Sequence, residues 1–443
     1  MAFRDADLET ASGLRRQHLA PAALLHARVA LRASDPDRAT ASLATIGNDS
    51  FAITGECEML RGAACTRRGD HEGAALAFAR ARVPVFAAAI APLEAELEYY
   101  EALDAFVAGD VERARAGVER TLSVRPSLAT HASQEAYVVP HAHTVARAHE
   151  LLGALAVKRD DYAEQLVETD RALAALHTEP IRDRWIATTN LANLAVLVRD
   201  FGLTENVPAL HAAAATPSRA SALGGKQFLI VAAIGWCAAL SGDQLGALRW
   251  FRRARDIARS VPDAIGAEVD LAWLAIEFER YGDARDAIER AVALANGFDW
   301  SHSSEDRQLA LVALAQGAAA SAPAAARRAL ETYRRTRETS VLHFTRFERR
   351  VVAEVAFAEG VVARAEGRIS LAVDRLVAAF DTWLAIGYGW RAARAAIELD
   401  ELGCGSRYAA YANRYARANP TSCIARRAAA CGTARTQTRH DAL

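Results

Sequence analysis

Gly224-Gly225-Lys226-Gln227 sets glycines and a lysine in the order that a phosphate-cradling loop uses. Such a loop also needs Gly where Ala220 stands and Ser or Thr where Gln227 stands, so the stretch reads as a connection between helices. His141-Ala142-His143, with His131 and His149 nearby, is the one histidine cluster. A metal needs ligands converging at about 2.0–2.1 Å, and no cysteine or second motif joins this cluster, which reads as a polar approach to a helix. Six cysteines (Cys57, Cys65, Cys237, Cys404, Cys423, Cys431) form no CxxC pair, which argues against a disulfide framework or zinc site. HExxH, GxSxG and a strand-borne GxGxxG are all missing from the sequence, and the carboxylates are spaced like solvated helix faces. No catalytic residue, metal ligand or cofactor is expected, and the chain reads as a non-enzyme.

The composition indicates what positions the side chains. Hydrophobic residues make up 52% of the chain and aromatics only 7%, so alanine carries much of the apolar share. Alanine is the best helix former and lets helix axes approach closely, which points to an all-α fold. Net charge is −1, from 53 basic and 54 acidic residues, so no general attraction to nucleic acid or membranes follows. Only Lys158 and Lys226 are lysines, a bias more in keeping with a GC-rich genome than with an arginine recognition surface. The start, MAFRDADLET, lacks a basic-then-apolar leader pattern, and the longest apolar run, Phe228 to Leu240, is too short to span a bilayer. A cytoplasmic location is expected.

The clearest local pattern is Phe228 to Ala258: Gly235, a turn at Gly242-Asp243, then Ala247, Phe251 and Ala254. The same offsets recur around Gly62 and Gly69-Asp70 with Phe78, around Ala102 and Gly109-Asp110, and around Gly360 and Gly367 with Leu376. Weaker copies turn at Ser34-Asp35-Pro36, Asp160-Asp161, Asp200, Gly282-Asp283, Ser321-Ala322-Pro323 and Gly403. Turn-to-turn spacings run from 35 to 51 and cluster near 40, which suits two helices of three to four turns each. Glycine ends the first helix in the left-handed conformation, Asp caps the second, and the large residue is expected to fill the gap between successive hairpins.

Gly-x6-Gly-Asp-x3-Ala-x3-Phe-x2-Ala resembles the tetratricopeptide repeat (TPR), over roughly residues 20–420. The resemblance implies an α-solenoid, a superhelix of about ten TPR-like helical hairpins, stabilised by stacking of neighbours. The long period, and the segment GYGWRAARAAIELDELG, resemble the helical arm of LuxR/MalT-type bacterial transcription regulators. After Pro420 the sequence TSCIARRAAACGTARTQTRHDAL lacks the two-helix pattern of a DNA-reading module. The expected organisation is an N-terminal segment (1–19), a half-array (20–215), a hinge (216–227), a second half-array (228–420) and a disordered tail (421–443).

In tetratricopeptide repeats the first helix of each pair lines the groove. Carried onto this chain, that implies a groove set of Tyr99, Phe106, Arg147, Asn190, Trp236, Glu279, Arg280 and Arg364. Aromatics anchor, arginine takes a carboxylate and asparagine pairs with peptide backbone, although Phe106 and Trp236 also suit a core and the arginines a solvated face. The expected function is a non-catalytic protein-interaction or effector-sensing scaffold, the sensor arm of a LuxR-type regulator without its DNA-binding module. A free-standing adaptor for complex assembly is the alternative, and an enzyme with its active site in the groove ranks last. The expected partner is a protein or peptide in the concave groove, or a small effector, with no direct nucleic-acid or membrane binding.

Overall fold

The computed structural model describes residues 20–31, 35–47, 50–125, 141–159, 161–177, 184–203, 207–208, 210–211, 224–301, 303, 305–339 and 348–431. Every regular element among them is a helix. The chain divides into two compact units, Met1–Ile186 and Ala187–Leu443.

Unit 1 contains α1 (20–31), α2 (Pro36–Leu43), α3 (Phe51–Arg68), α4 (His71–Ala88), α5 (Ala91–Val107), α6 (Val111–Ser123), α7 (His141–Lys158) and α8 (Tyr162–His177). α9 (Arg184–Phe201) begins at the division and runs into unit 2. There it is followed by short α10 (207–211, with 209 outside the described residues), α11 (Gly224–Ser241), α12 (Gln244–Ile257), α13 (Val261–Glu277) and α14 (Tyr281–Asn296). α15 (Glu305–Ala318), α16 (Pro323–Thr339), α17 (Glu348–Ala365), α18 (Ile369–Ala385), α19 (Gly389–Glu401), α20 (Ser406–Ala418) and α21 (423–431) complete it. α3 pairs with α4, α5 with α6, α7 with α8, α11 with α12, α13 with α14, α15 with α16, and α17 with α18, while first helices also touch the next first helix. This is an all-α, TPR-like helical-repeat solenoid.

The turn chemistry explains the hairpins. Gly69, Gly109, Gly242, Gly367 and Gly403 all have positive φ, between 75° and 92°, which a side chain would resist. Asp70, Asp110 and Asp243 follow, and their carboxylates accept the N–H of Gly73, Arg113 and Gly246 at 2.8–3.0 Å. The expected turn at Gly282-Asp283 lies elsewhere. Both residues are inside α14, and the left-handed position falls to Glu279 at φ 59°.

The large repeat residue has a task within its own hairpin: Phe78 and Phe251 each lie on the glycine of the partner helix. A Cβ on Gly62 would come within 2.4 Å of the Phe78 ring, and one on Gly235 within 2.5 Å of Phe251. The glycine removes the side chain that would hold the two axes apart, and the ring takes its place, only 3% exposed at Phe78 and fully buried at Phe251.

Two boundaries change. Residues 224–227 open α11 instead of forming a hinge, and 216–223 lie outside the described residues. Residues 423–431 are helical where a disordered tail is expected. The Ser422 hydroxyl caps the start by accepting Ala425 N–H at 3.1 Å, and Cys423 and Ile424 are buried. Residues 1–19 and 432–443 are outside the described residues.

Candidate ligand groove

In unit 1 the first helices α1, α3, α5 and α7 converge on one inner face. Arg28 of α1 reaches both neighbours: its Nε donates to Glu56 of α3 at 2.8 Å and its Nη2 to Glu96 of α5 at 2.7 Å. Burial opposes the Arg28 charge, and Glu96 and Glu56 outweigh it, holding the pKa above the usual arginine value. One guanidinium therefore satisfies two buried carboxylates.

Beyond it along the same face, Tyr99 and Tyr100 of α5 stand edge to face, centroids 5.6 Å apart. The Arg147 guanidinium of α7 lies 5.0 Å from the Tyr99 ring centre and 5.7 Å from that of Tyr100. Burial raises the Tyr99 pKa, so its hydroxyl stays protonated and the ring offers a neutral π face. Arg147 is half-buried and, among the described residues, has no carboxylate within salt-bridge distance. Two of the expected groove residues, Tyr99 and Arg147, are thus brought together. Phe106 is a core residue, 2% exposed, with the Lys158 ammonium 4.3 Å from its ring centre.

Unit 2 differs on its inner face. Trp236 of α11 lies between Trp273 of α13 (centroids 4.7 Å) and Trp390 of α19 (5.2 Å). Its indole N–H donates to Asp270 at 3.1 Å. Trp390 in turn donates to the carbonyls of Arg199 and Asp200, each at 3.0 Å. Asp200 is fully buried and ion-paired with Arg199 (2.9 Å), Arg350 (3.2 Å) and Arg391 (3.3 Å). Burial works against its charge, and the three arginines prevail, lowering its pKa to about 2. Asp270 has no ion pair among the described residues, and burial pushes it up to about 7 against Arg199, the Trp236 hydrogen bond and Arg391.

The surface beside Trp236 is therefore filled by the chain's own α19, and Trp236 is only 9% exposed. Asn190 is buried within α9. Glu279 and Arg280 fall on the exposed α13–α14 turn, where Arg280 pairs with Asp283, and so leave the groove. Arg364 is bound to Glu398 and, at 2.6 Å, to Glu401. The expected set missed Arg28, Glu56, Glu96 and Tyr100, of which only the Tyr99-Tyr100 doublet leaves a local trace in the sequence.

His149 Nδ1 is 2.7 Å from Glu168, tying α7 to α8, and His143 is buried, while His131 lies outside the described residues. Among the described residues no group of His, Cys, Asp and Glu has metal-site geometry, and no helix is long and apolar enough to cross a membrane.

The arrangement defines a TPR-like helical-repeat protein, with one inner face carrying an arginine on an aromatic platform. The chain matches no protein-family model and no curated protein sequence. Solved structures of similar architecture are TPR-like helical-repeat proteins. One is a Rap protein complexed with Competence and Sporulation Factor, at 12% identity and TM-score 0.47, covering 83% of this chain and 98% of that one. Another is the apo quorum sensor NprR from B. thuringiensis, at 10% identity and TM-score 0.44, covering 86% and 97%. A third is the APC/C hetero-tetramer Cut9-Hcn1, at 14% identity and TM-score 0.34, covering 89% and 80%.

Proposed function

We propose that the chain is a non-catalytic interaction scaffold that captures a protein or peptide on the inner face of unit 1. The observation that carries this is Arg147. A guanidinium half-removed from water, seated on two tyrosine rings, with Glu96 acting on it only from beyond ion-pair distance among the described residues, is a ready receptor for a ligand carboxylate. Arg28 cannot compete for that role because Glu56 and Glu96 already occupy it. Tyr99 and Tyr100, each 7% exposed, are the buried platform that holds this guanidinium in place.

Within that reading, the role is that of a cytoplasmic sensor arm of the LuxR/MalT type. The repeat period near 40 and the α19 segment GYGWRAARAAIELDELG support it. A free-standing adaptor would use the same face. Reading the nucleotide sequence downstream in all three frames separates the two: a helix-turn-helix coding segment supports the arm, and its lack in every frame removes it.

Binding is tested by fluorescence polarisation with a labelled random-hexapeptide pool bearing free or amidated C-termini. Enrichment of carboxylate-bearing peptides, lost in Arg147→Gln, is expected. Equal retention by wild type and Arg147→Gln would refute the assignment.

A further inference from the structure

We infer that unit 2 carries a site for a free amino acid, whose carboxylate meets Arg394 of α19 and whose ammonium meets Glu277 of α13. Among the described residues these are a cation and an anion that each act on the other only from beyond ion-pair distance. The site lies in a different unit from Arg147.

Arg394 is held by rings. Its guanidinium lies 4.9 Å from the ring centre of Phe357 in α17 and 5.8 Å from that of Trp273 in α13, and both rings are buried. Its Nε is out of solvent with no hydrogen-bond acceptor among the described residues. Burial lowers its pKa to about 10 and the nearby Arg427 acts in the same direction, while Glu398 and Glu277 oppose them. Stacking on two aromatic faces keeps the guanidinium from swinging across to Glu277.

Glu277 stands one turn beyond Trp273, at the end of α13, and is half-buried. Burial raises its pKa, against Arg427, Arg394 and Arg426, none of which pairs with it. The charges around the two are already matched. Glu398 holds Arg364 and Arg427, and Glu401 takes a further bond from Arg364 at 2.6 Å. Arg394 and Glu277 are what this pairing leaves over. The side chains of Arg364, Arg427 and Glu401 are 26–32% exposed, so the group opens to solvent.

The leftover pair selects the ligand. A simple anion would satisfy Arg394 and set a like charge beside Glu277, and a simple cation would do the reverse. A zwitterion gives each half-buried charge its partner at once. An amino acid carries both groups on a body small enough to bridge two side chains.

The full-length chain would be titrated calorimetrically with each of the twenty standard amino acids. At least one should saturate a single site, at least tenfold tighter than its amide, which lacks the carboxylate, and than its deaminated acid, which lacks the ammonium. Arg394→Gln should lose at least tenfold in affinity and no longer prefer the amino acid to its amide. Glu277→Gln should lose at least tenfold and no longer prefer it to the deaminated acid. A general loss of structure would not remove the two preferences separately. The Glu277 side chain makes no hydrogen bond among the described residues, so circular dichroism of Glu277→Gln should match wild type. Arg147→Gln should bind the amino acid as wild type does, which keeps this test apart from that of unit 1. The proposal is overturned if no amino acid saturates the chain at about 1 mM, the weak end of specific affinity. Equal binding of the amide or the deaminated acid, or wild-type preference retained in either variant, would overturn it too.

Discussion

Trp236 and Trp390 stack with ring centroids 5.2 Å apart although they belong to repeats 154 positions apart in sequence. Such a contact needs the successive first helices of unit 2 to curve until the last repeat meets the earlier ones. Below Trp390 the turn at Thr421 reinforces the closure: its hydroxyl donates to Ser241 O at 2.9 Å, and a Cβ on Gly242 would come within 2.5 Å of Thr421 O.

If Trp390 holds that curvature, Trp390→Ala should destabilise unit 2 by about 3–5 kcal/mol, the usual cost of emptying a buried aromatic site. Hydrogen exchange should then rise in α9 and α11, which lose the indole and its two hydrogen bonds, and stay unchanged in α3 and α4. Unaltered protection of α9 would show that the closure is held by other contacts.

The same cluster should make unit 2 sensitive to pH. Asp270 has a folded pKa of about 7, above its ordinary value, so the folded state keeps a proton that the unfolded state releases between about pH 4 and 7. Its contribution is thus fully favourable at low pH and declines as pH rises to about 7. Asp200 acts in the opposite sense, stabilising above pH 4 and failing as pH falls towards its folded value of about 2. Asp270→Asn keeps an acceptor for Trp236 and removes the titration. Urea unfolding at pH 5 and pH 8 should show the variant gaining on wild type by a few kcal/mol at the higher pH. Parallel pH profiles of the two proteins would rule this out.

Some of this was legible in the sequence because its cause is local. Gly69, Gly109, Gly242, Gly367 and Gly403 end helices through their own backbone freedom, so their spacing alone marks the repeats. Gly282 misleads because the left-handed position is taken by Glu279, a residue with no such signature. Tyr99 and Arg147 could be found by carrying the family's groove-lining first helix over from the Ala102 and Gly153 markers. The Arg28–Glu96 pair, 68 positions apart, and the covering of Trp236 by α19 depend on the curvature summed over several hairpins, which no single repeat encodes. The tail helix was hidden by its arginines: Arg426 and Arg427 read as a solvated segment, yet Arg427 pairs with Glu398.

The Arg28 cluster should behave as a buried ion network. Arg28→Met leaves Glu56 and Glu96, 5% and 0% exposed, without their cation, and a loss of about 3–5 kcal/mol is expected. Adding Glu56→Gln and Glu96→Leu should restore much of it, because the uncompensated charges are gone. Thermal denaturation of the single and triple variants measures the difference. A triple variant less stable than Arg28→Met alone would mean that the carboxylates have other work in the fold.

Gly235 and Phe251 offer the sharpest test of the repeat itself, because two opposing effects differ in size. Alanine at an interior helical glycine gains about 1 kcal/mol in propensity. Here the added methyl would overlap the Phe251 ring, which is fully buried and cannot retreat, so overpacking of about 1–3 kcal/mol should prevail. Gly235→Ala is therefore expected to destabilise wild type. In a Phe251→Ala background, itself about 3–5 kcal/mol weaker, the ring is gone and the same Gly235→Ala change should stabilise. A double-mutant cycle by urea denaturation reads the reversal directly. If Gly235→Ala has the same sign in both backgrounds, the close approach of α11 and α12 does not depend on the glycine–phenylalanine pair.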